Sequence, residues 1–237
     1  MIGKRSDLMR RLLAGLIIAG MLVLPANGAE KKYVALTFDD GPSGRYTQTL
    51  LDGLALRGAK CTFLLCGYRM AQYPELTQRI ADEGHEIGYH GYSHGSMQSM
   101  SRRSIGQELM DSQALLPEDC DPVFFRPPGG FVTDGIRQVA EVRNLALLSW
   151  SVDPRDWDTS STAKIETEVL KKVKDGDIVL LHDMTMSSVQ AALDIVDELQ
   201  DRGYRFATVS EMAKLRNIRL KPGQIYKNFP PQEDAMK

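Results

Sequence analysis

Thr37-Phe38-Asp39-Asp40-Gly41-Pro42-Ser43 decides how the rest of this 237-residue chain is read. An apolar run, Tyr33 to Phe38, ends abruptly in two adjacent carboxylates and a Gly-Pro turn. Carboxylates at the exit of a buried strand are costly unless they are paired, protonated or bound to a metal. Three of the four histidines, His90, His94 and His182, follow at positions able to supply partners.

Outward from this turn, strand-like and helix-like segments alternate. Helical spacing over 46–57 stops at Gly58, and Pro74 opens a helix over 75–83 that Gly84 closes. Further helices are expected over 101–116, 134–142, 162–173 and 187–201. The extended runs are 33–38, 61–66, 85–88, 122–125, 145–152, 177–181 and 204–209, and Ser210 is expected to cap a last short helix. Repeated β-α units imply a mostly parallel sheet. About seven or eight strands suit a (β/α) barrel better than a small open sheet, and barrel chemistry sits at the C-terminal strand ends. The unusual residues fall there: Asp39 and Asp40, His90, Arg126, Asp153 to Asp156, and His182. No dinucleotide fingerprint or phosphate loop accompanies a strand end. No stretch rich in Pro, Gly or Ser divides the chain, so one domain is expected over 31–216, then a short polar tail over 217–237.

Charged residues make up 25% of the chain and the net charge is −2, which favours neither nucleic-acid binding nor disorder. At the N-terminus, Lys4, Arg5, Arg10 and Arg11 precede an apolar run from Leu12 to Leu24, and Pro25 and small residues follow. This is the pattern of an export signal over 1–29, with cleavage after Gly28 or Ala29. The run is short for a membrane span, which needs about 20 residues; an uncleaved anchor is the alternative. The expectation is an exported protein, secreted or attached to the cell wall or membrane, and membrane-associated only through this segment. Cys61 and Cys66 have an odd offset, so on one strand they face opposite sides and cannot bridge. They and Cys120 read as buried free thiols.

Four short motifs carry the chemistry. In His90-Gly91-Tyr92-Ser93-His94, two imidazoles four apart face one metal if the segment turns like a helix. The spacing alone is weak, and gains weight because Asp40 follows another strand end. Two histidines and a carboxylate leave positions open for water and substrate; Asp40 by itself is equally a turn residue beside Gly41-Pro42. In Arg126-Pro127-Pro128-Gly129-Gly130, prolines fix the backbone, Gly129 permits close approach of a ligand, and a guanidinium is able to orient a carboxylate. Asp153-Pro154-Arg155-Asp156-Trp157 offers a carboxylate able to hold an imidazole and an indole able to line a sugar groove, or simply a capping loop. His182, after Leu180-Leu181, is placed either for proton transfer or as a hydrogen-bonded core histidine.

Taken together these residues resemble the polysaccharide deacetylases, the NodB-homology domain of carbohydrate esterase family 4. The resemblance runs from about Val34 to Val209, and its motifs are matched from Thr37-Phe38-Asp39-Asp40 through Leu181-His182-Asp183. It implies an α/β fold, a distorted (β/α) barrel, and hydrolytic removal of N-acetyl groups from an extracellular glycan with one divalent ion, zinc above cobalt or another metal. By resemblance Asp40, His90 and His94 hold the metal and Asp39 is the base, oriented by Arg126. The Gly129 amide binds the oxyanion, His182 is the acid tuned by Asp156, and Trp157 and Leu181 line the groove. Gly91 departs from the family, which often has Ser or Thr there. Peptidoglycan is the expected polymer, with a chitin-like oligomer or an exopolysaccharide as alternatives, acted on by a monomer. The rival readings are an O-acetyl esterase of acetylated xylan and a non-catalytic cell-wall glycan-binding protein.

Overall fold

The computed structural model describes residues 31–231, so the expected export segment and the last six residues lie outside the described region. Eight strands and eight α-helices alternate along it. The strands are β1 (Lys32–Asp39), β2 (Thr62–Leu65), β3 (Glu86–Tyr89), β4 (Phe124–Phe125), β5 (Ala146–Leu148), β6 (Asp177–His182), β7 (Tyr204–Phe206) and β8 (Ile225–Tyr226). The helices are α1 (Arg45–Arg57), α2 (Gly67–Gln72), α3 (Pro74–Asp82), α4 (Arg102–Gln113), α5 (Asp134–Val142), α6 (Thr162–Lys172), α7 (Met186–Asp201) and α8 (Val209–Leu215). Every strand pair is parallel, in the order β6-β1-β2-β3-β4-β5-β8, with β7 beside the start of β1. Beyond β5 the chain bends so that Val152 bridges Val179 of β6, which turns the curled sheet back toward its first strands. This is the (β/α) barrel that the alternation of segments predicts, distorted as the family resemblance implies. Among the described residues no helix is long and apolar enough to cross a membrane.

Two-residue alternation sorts the strand side chains. Val34, Leu36 and Phe38 of β1 join Val179 and Leu181 of β6 in a core shared with α1, α6 and α7. The apolar stripe of α7, Val189, Ala192, Ile195, Val196 and Leu199, is buried there. The opposite parity forms a second cluster inside the curl: Ala35, Leu64, Phe124, Ala146, Leu148 and Ile178. Thr37 and Asp39 continue the inner row of β1, Arg126 that of β4, and Leu180 and His182 that of β6. The polar inner positions thus crowd at the C-terminal strand ends, above an apolar floor.

Two expectations are corrected. The segment after 216 is not merely a polar tail: β8 pairs with β5, and Ile218, Leu220, Tyr226 and Phe229 pack into the inner cluster. Phe229 is fully buried, its N–H donating to the Gly176 carbonyl at 2.7 Å. The last helix is capped by Thr208, whose hydroxyl accepts the Glu211 N–H while the Glu211 carboxylate accepts the Thr208 N–H. Ser210 instead donates its hydroxyl to half-buried Glu86.

Candidate active site

Asp39 and His182 are register partners at the ends of adjacent strands β1 and β6. Asp39 is buried, and an unpaired carboxylate there would be severely destabilising. Arg126, itself fully buried, supplies the partner: its Nη1 lies 2.6 Å from Asp39 Oδ1 and 2.9 Å from Thr37 Oγ1. Its other nitrogens reach the carbonyls of Ser149 at 2.9 Å and Leu148 at 3.4 Å, and the guanidinium lies over the Trp150 ring. Thr37 donates in turn to the Val179 carbonyl. The guanidinium is therefore fixed on several sides, and one oxygen of Asp39 stays directed at the site.

Asp40, His90 and His94 offer one ligand atom each, all within 4.8 Å of one another. His90 follows β3, and its Nδ1–H donates to the Arg126 carbonyl at 2.7 Å. A carbonyl only accepts, so this bond places the neutral ring's proton on Nδ1 and leaves a lone pair on Nε2. That lone pair faces Asp40 Oδ1 at 3.2 Å, while His94 Nε2 lies 3.0 Å from the same oxygen. Asp40 Oδ1 is buried and accepts no conventional hydrogen bond. A lone pair facing a buried carboxylate oxygen is repelled unless a positive charge sits between them. With no ion present and both rings protonated, burial still disfavours the Asp40 anion, but the hydrogen bonds and charges of the two imidazoles outweigh it and hold the carboxyl far below its usual range. Asp40 in turn raises the pKa of His94. The donor set fits a divalent ion with positions left over for other ligands.

The backbone bears the cost of this convergence. Asp40 (φ 73°) and His94 (φ 58°) both occupy the left-handed region, where residues with a β-carbon are strained. The histidine loop is not the helical turn that four-residue spacing suggests. It is held by Glu108 of α4, whose carboxylate accepts the N–H groups of Tyr92 (2.7 Å) and Ser93 (2.8 Å) and the Ser93 hydroxyl (2.8 Å). Gly91 sits at φ 83°, and a β-carbon there would come within 2.7 Å of Met97. Glu108 thus gives the loop support that a hydroxyl at position 91 does not.

On the other side of the site, Asp156 grips His182 twice: Oδ2 accepts its backbone N–H and Oδ1 its ring Nδ1–H, both at 2.8 Å. The ring presents Nε2 as its remaining polar atom. Burial opposes charging the imidazole, but the Asp156 hydrogen bond and charge, with Asp39 and Asp40 beyond, raise its pKa to about 9. Asp183 is fully buried next to it, and burial lifts its carboxyl to about 6 against the hydrogen bond from Thr47. His85 stands apart: its Nδ1 accepts the Cys61 N–H, and burial pushes its pKa down to about 4.

Gly129 adopts φ 73° in the turn after β4, and Trp157 stands 58% exposed beside Asp156. Leu181 does not join them. Its parity turns it away from the inner face and into the core shared with α7, whereas Leu180 has the same parity as His182 and is 5% exposed. Sequence reasoning also missed Phe131, exposed, with its ring within 3.5 Å of where a Gly129 β-carbon would lie. Cys61 and Cys66 are buried free thiols; Cys120 is free and partly exposed.

With this geometry in place, the likeness to known proteins is specific. The polysaccharide deacetylase family profile matches residues 26–147. A peptidoglycan-N-acetylglucosamine deacetylase of Bacillus cereus is 37% identical over 193 residues, covering 79% of this chain and 91% of that protein. A chitooligosaccharide deacetylase of Sinorhizobium fredii is 30% identical over 212 residues, covering 87% and 94%. A family 4 acetyl xylan esterase from Clostridium thermocellum, solved with a cobalt ion, superposes with a TM-score of 0.78 at 32% identity, covering 84% of this chain and all of that one. The chain belongs to the polysaccharide deacetylase family.

Proposed function

We propose that this chain is a metal-dependent hydrolase that removes N-acetyl groups from an extracellular glycan, with peptidoglycan as the polymer and zinc as the ion. The observation that carries the reading is the Asp40-His90-His94 triad beside a second, separately held carboxylate, Asp39. The peptidoglycan deacetylase of Bacillus cereus supports the choice of polymer. The basic and apolar N-terminal segment supports export.

The residues divide the work. Asp40, His90 and His94 would hold a divalent cation, which supplies Lewis acidity toward an amide carbonyl and makes nearby water easier to deprotonate. Asp39, held in place by Arg126, accepts the proton of the attacking water as the water oxygen bonds to the acetyl carbon. The Gly129 N–H stabilises the oxyanion that forms there. His182 delivers the proton held at Nε2 to the departing sugar nitrogen as the C–N bond breaks, giving acetate and a free amine. Asp156 keeps that proton available by favouring the charged ring. Trp157 and Phe131 offer exposed aromatic faces to the sugar. The test is acetate release by purified protein from N-acetylglucosamine polymers and peptidoglycan, with and without chelator.

The likeness to an acetyl xylan esterase favours one other reading, ester rather than amide hydrolysis. Acetylated xylan assayed beside the N-acetylated polymers separates the two: faster release from xylan would replace the amidase reading.

A further inference from the structure

Asp183 has no part in the chemistry above, yet it is fully buried directly beneath the turn that bears Asp40. Two contacts join it directly to that turn, and a third runs through Thr47 of α1. The Thr47 hydroxyl donates to Asp183 Oδ2, the Ser43 hydroxyl donates to the Asp183 carbonyl, and Gly41 lies so close that an added β-carbon would sit 2.6 Å from Asp183 Oδ1. The Ser43 N–H donates to Thr47 Oγ1 at 2.6 Å, so one hydroxyl links the turn, the first turn of α1 and the end of β6. Thr47 is fully buried as well. Asp183 Oδ1 has no hydrogen-bond partner. A carboxyl left half-satisfied in a closed interior is expensive, so its retention needs a return other than stability.

We propose that Asp183, through Thr47 and Ser43, is a positioning residue that clamps the Asp40–Ser43 turn to the end of β6. It thereby sets the spacing between the carboxylates of Asp39 and Asp40 and the His182 ring. Asp40 is held in the left-handed region, and its own Oδ1 has no conventional donor to fix it. Something outside the ligand set must therefore hold the turn. At the next residue, Gly41, the Asp183 carboxylate occupies the space a β-carbon would need. The chain adjacent to the ligand is thus fixed from behind, much as outer-shell partners orient first ligands at metal sites.

The kinetic part of this proposal rests on the deacetylase reading, but its metal-binding part does not. Thr47→Val keeps the side-chain shape and removes the hydroxyl; Thr47→Ser keeps the hydroxyl. In folded protein, Thr47→Val should weaken zinc binding about 10-fold or more in competition with a chromophoric chelator, the scale at which outer-shell partners act. At saturating zinc it should lower kcat by about 10-fold with KM changed by less than about 3-fold, as loss of transition-state geometry does. Thr47→Ser should restore both. Ser43→Ala, which deletes one contact of the three, should show the same pattern more weakly and serves where Thr47→Val does not fold. Wild-type zinc affinity and kcat in a folded Thr47→Val or Ser43→Ala protein would overturn the proposal, as would a Thr47→Ser protein as impaired as Thr47→Val. If the wild type releases no acetate from any glycan, the deacetylase reading fails while the zinc-affinity comparison still decides the role of Asp183.

Discussion

The backbone carbonyl of Arg126 accepts the Nδ1 proton of His90 at 2.7 Å. The same residue holds Asp39 with its side chain. One position therefore fixes the tautomer of an imidazole in the candidate metal site and the direction of the neighbouring carboxylate, through two groups that mutation separates. A side-chain substitution leaves the carbonyl in place. Arg126→Lys should keep zinc affinity within a few-fold but lower turnover by about 10- to 100-fold, because an ammonium lacks the planar fork that reaches Asp39, Thr37 and two carbonyls at once. Zinc titration and acetate release on the same preparation check this.

His182, as the proposed acid, should set the alkaline limit. Its pKa of about 9 lies above the usual 6.5 because Asp156 overcomes the cost of burial. The ring must be charged to protonate the leaving nitrogen, so kcat should fall as pH rises through this group. A bound dication disfavours the charged ring, so the limb of the loaded enzyme lies below 9. Asp156→Asn removes the stabilising charge and should move the limb further down, toward neutral pH. A pH profile of kcat with zinc saturating reads the shift.

The same group links pH to stability. Because the folded-state pKa is raised, its contribution is complete below about 6.5, the ordinary histidine value, and is lost as pH rises through about 9. The metal-free wild type should therefore lose stability over this window, relative to an Asp156→Asn variant measured in parallel by denaturant unfolding.

Residues 217–229 belong to the fold. Phe229 is fully buried and stacks on Tyr226 with ring centroids 5.5 Å apart. Phe229→Ala should cost about 3–5 kcal/mol, the range for a large core side chain truncated to Ala. Truncation after Arg216 should leave a protein that does not fold cooperatively. Circular dichroism with urea titration measures both effects.

Much of this architecture is written locally in the chain. The β-α rhythm survives because each strand is a short apolar run and each long helix has a periodic buried stripe, as α7 shows. The site is legible because its side chains cluster in motifs directly after strands, where parallel barrels place chemistry. What is hidden depends on distant partners. Glu108 is an ordinary glutamate on a helix until the loop folds against it. Phe229 and Tyr226 stand among prolines and charges with no period, and only β5 and Gly176 give them meaning. Leu180 and Leu181 are indistinguishable by composition; strand parity separates them, and it was readable by counting two residues back from His182. The Thr208–Glu211 capping box was equally readable, and outranks Ser210 because its two hydrogen bonds are reciprocal.

The most direct test counts bound metal in the two aspartate variants. Zinc titrated into Asp40→Ala and Asp39→Asn, beside the wild type, should give one ion per chain in the wild type and in Asp39→Asn, and none in Asp40→Ala. Asp39→Asn should bind that ion while releasing almost no acetate. Equal zinc binding by Asp40→Ala and the wild type would contradict the assignment of Asp40, His90 and His94 as the metal centre.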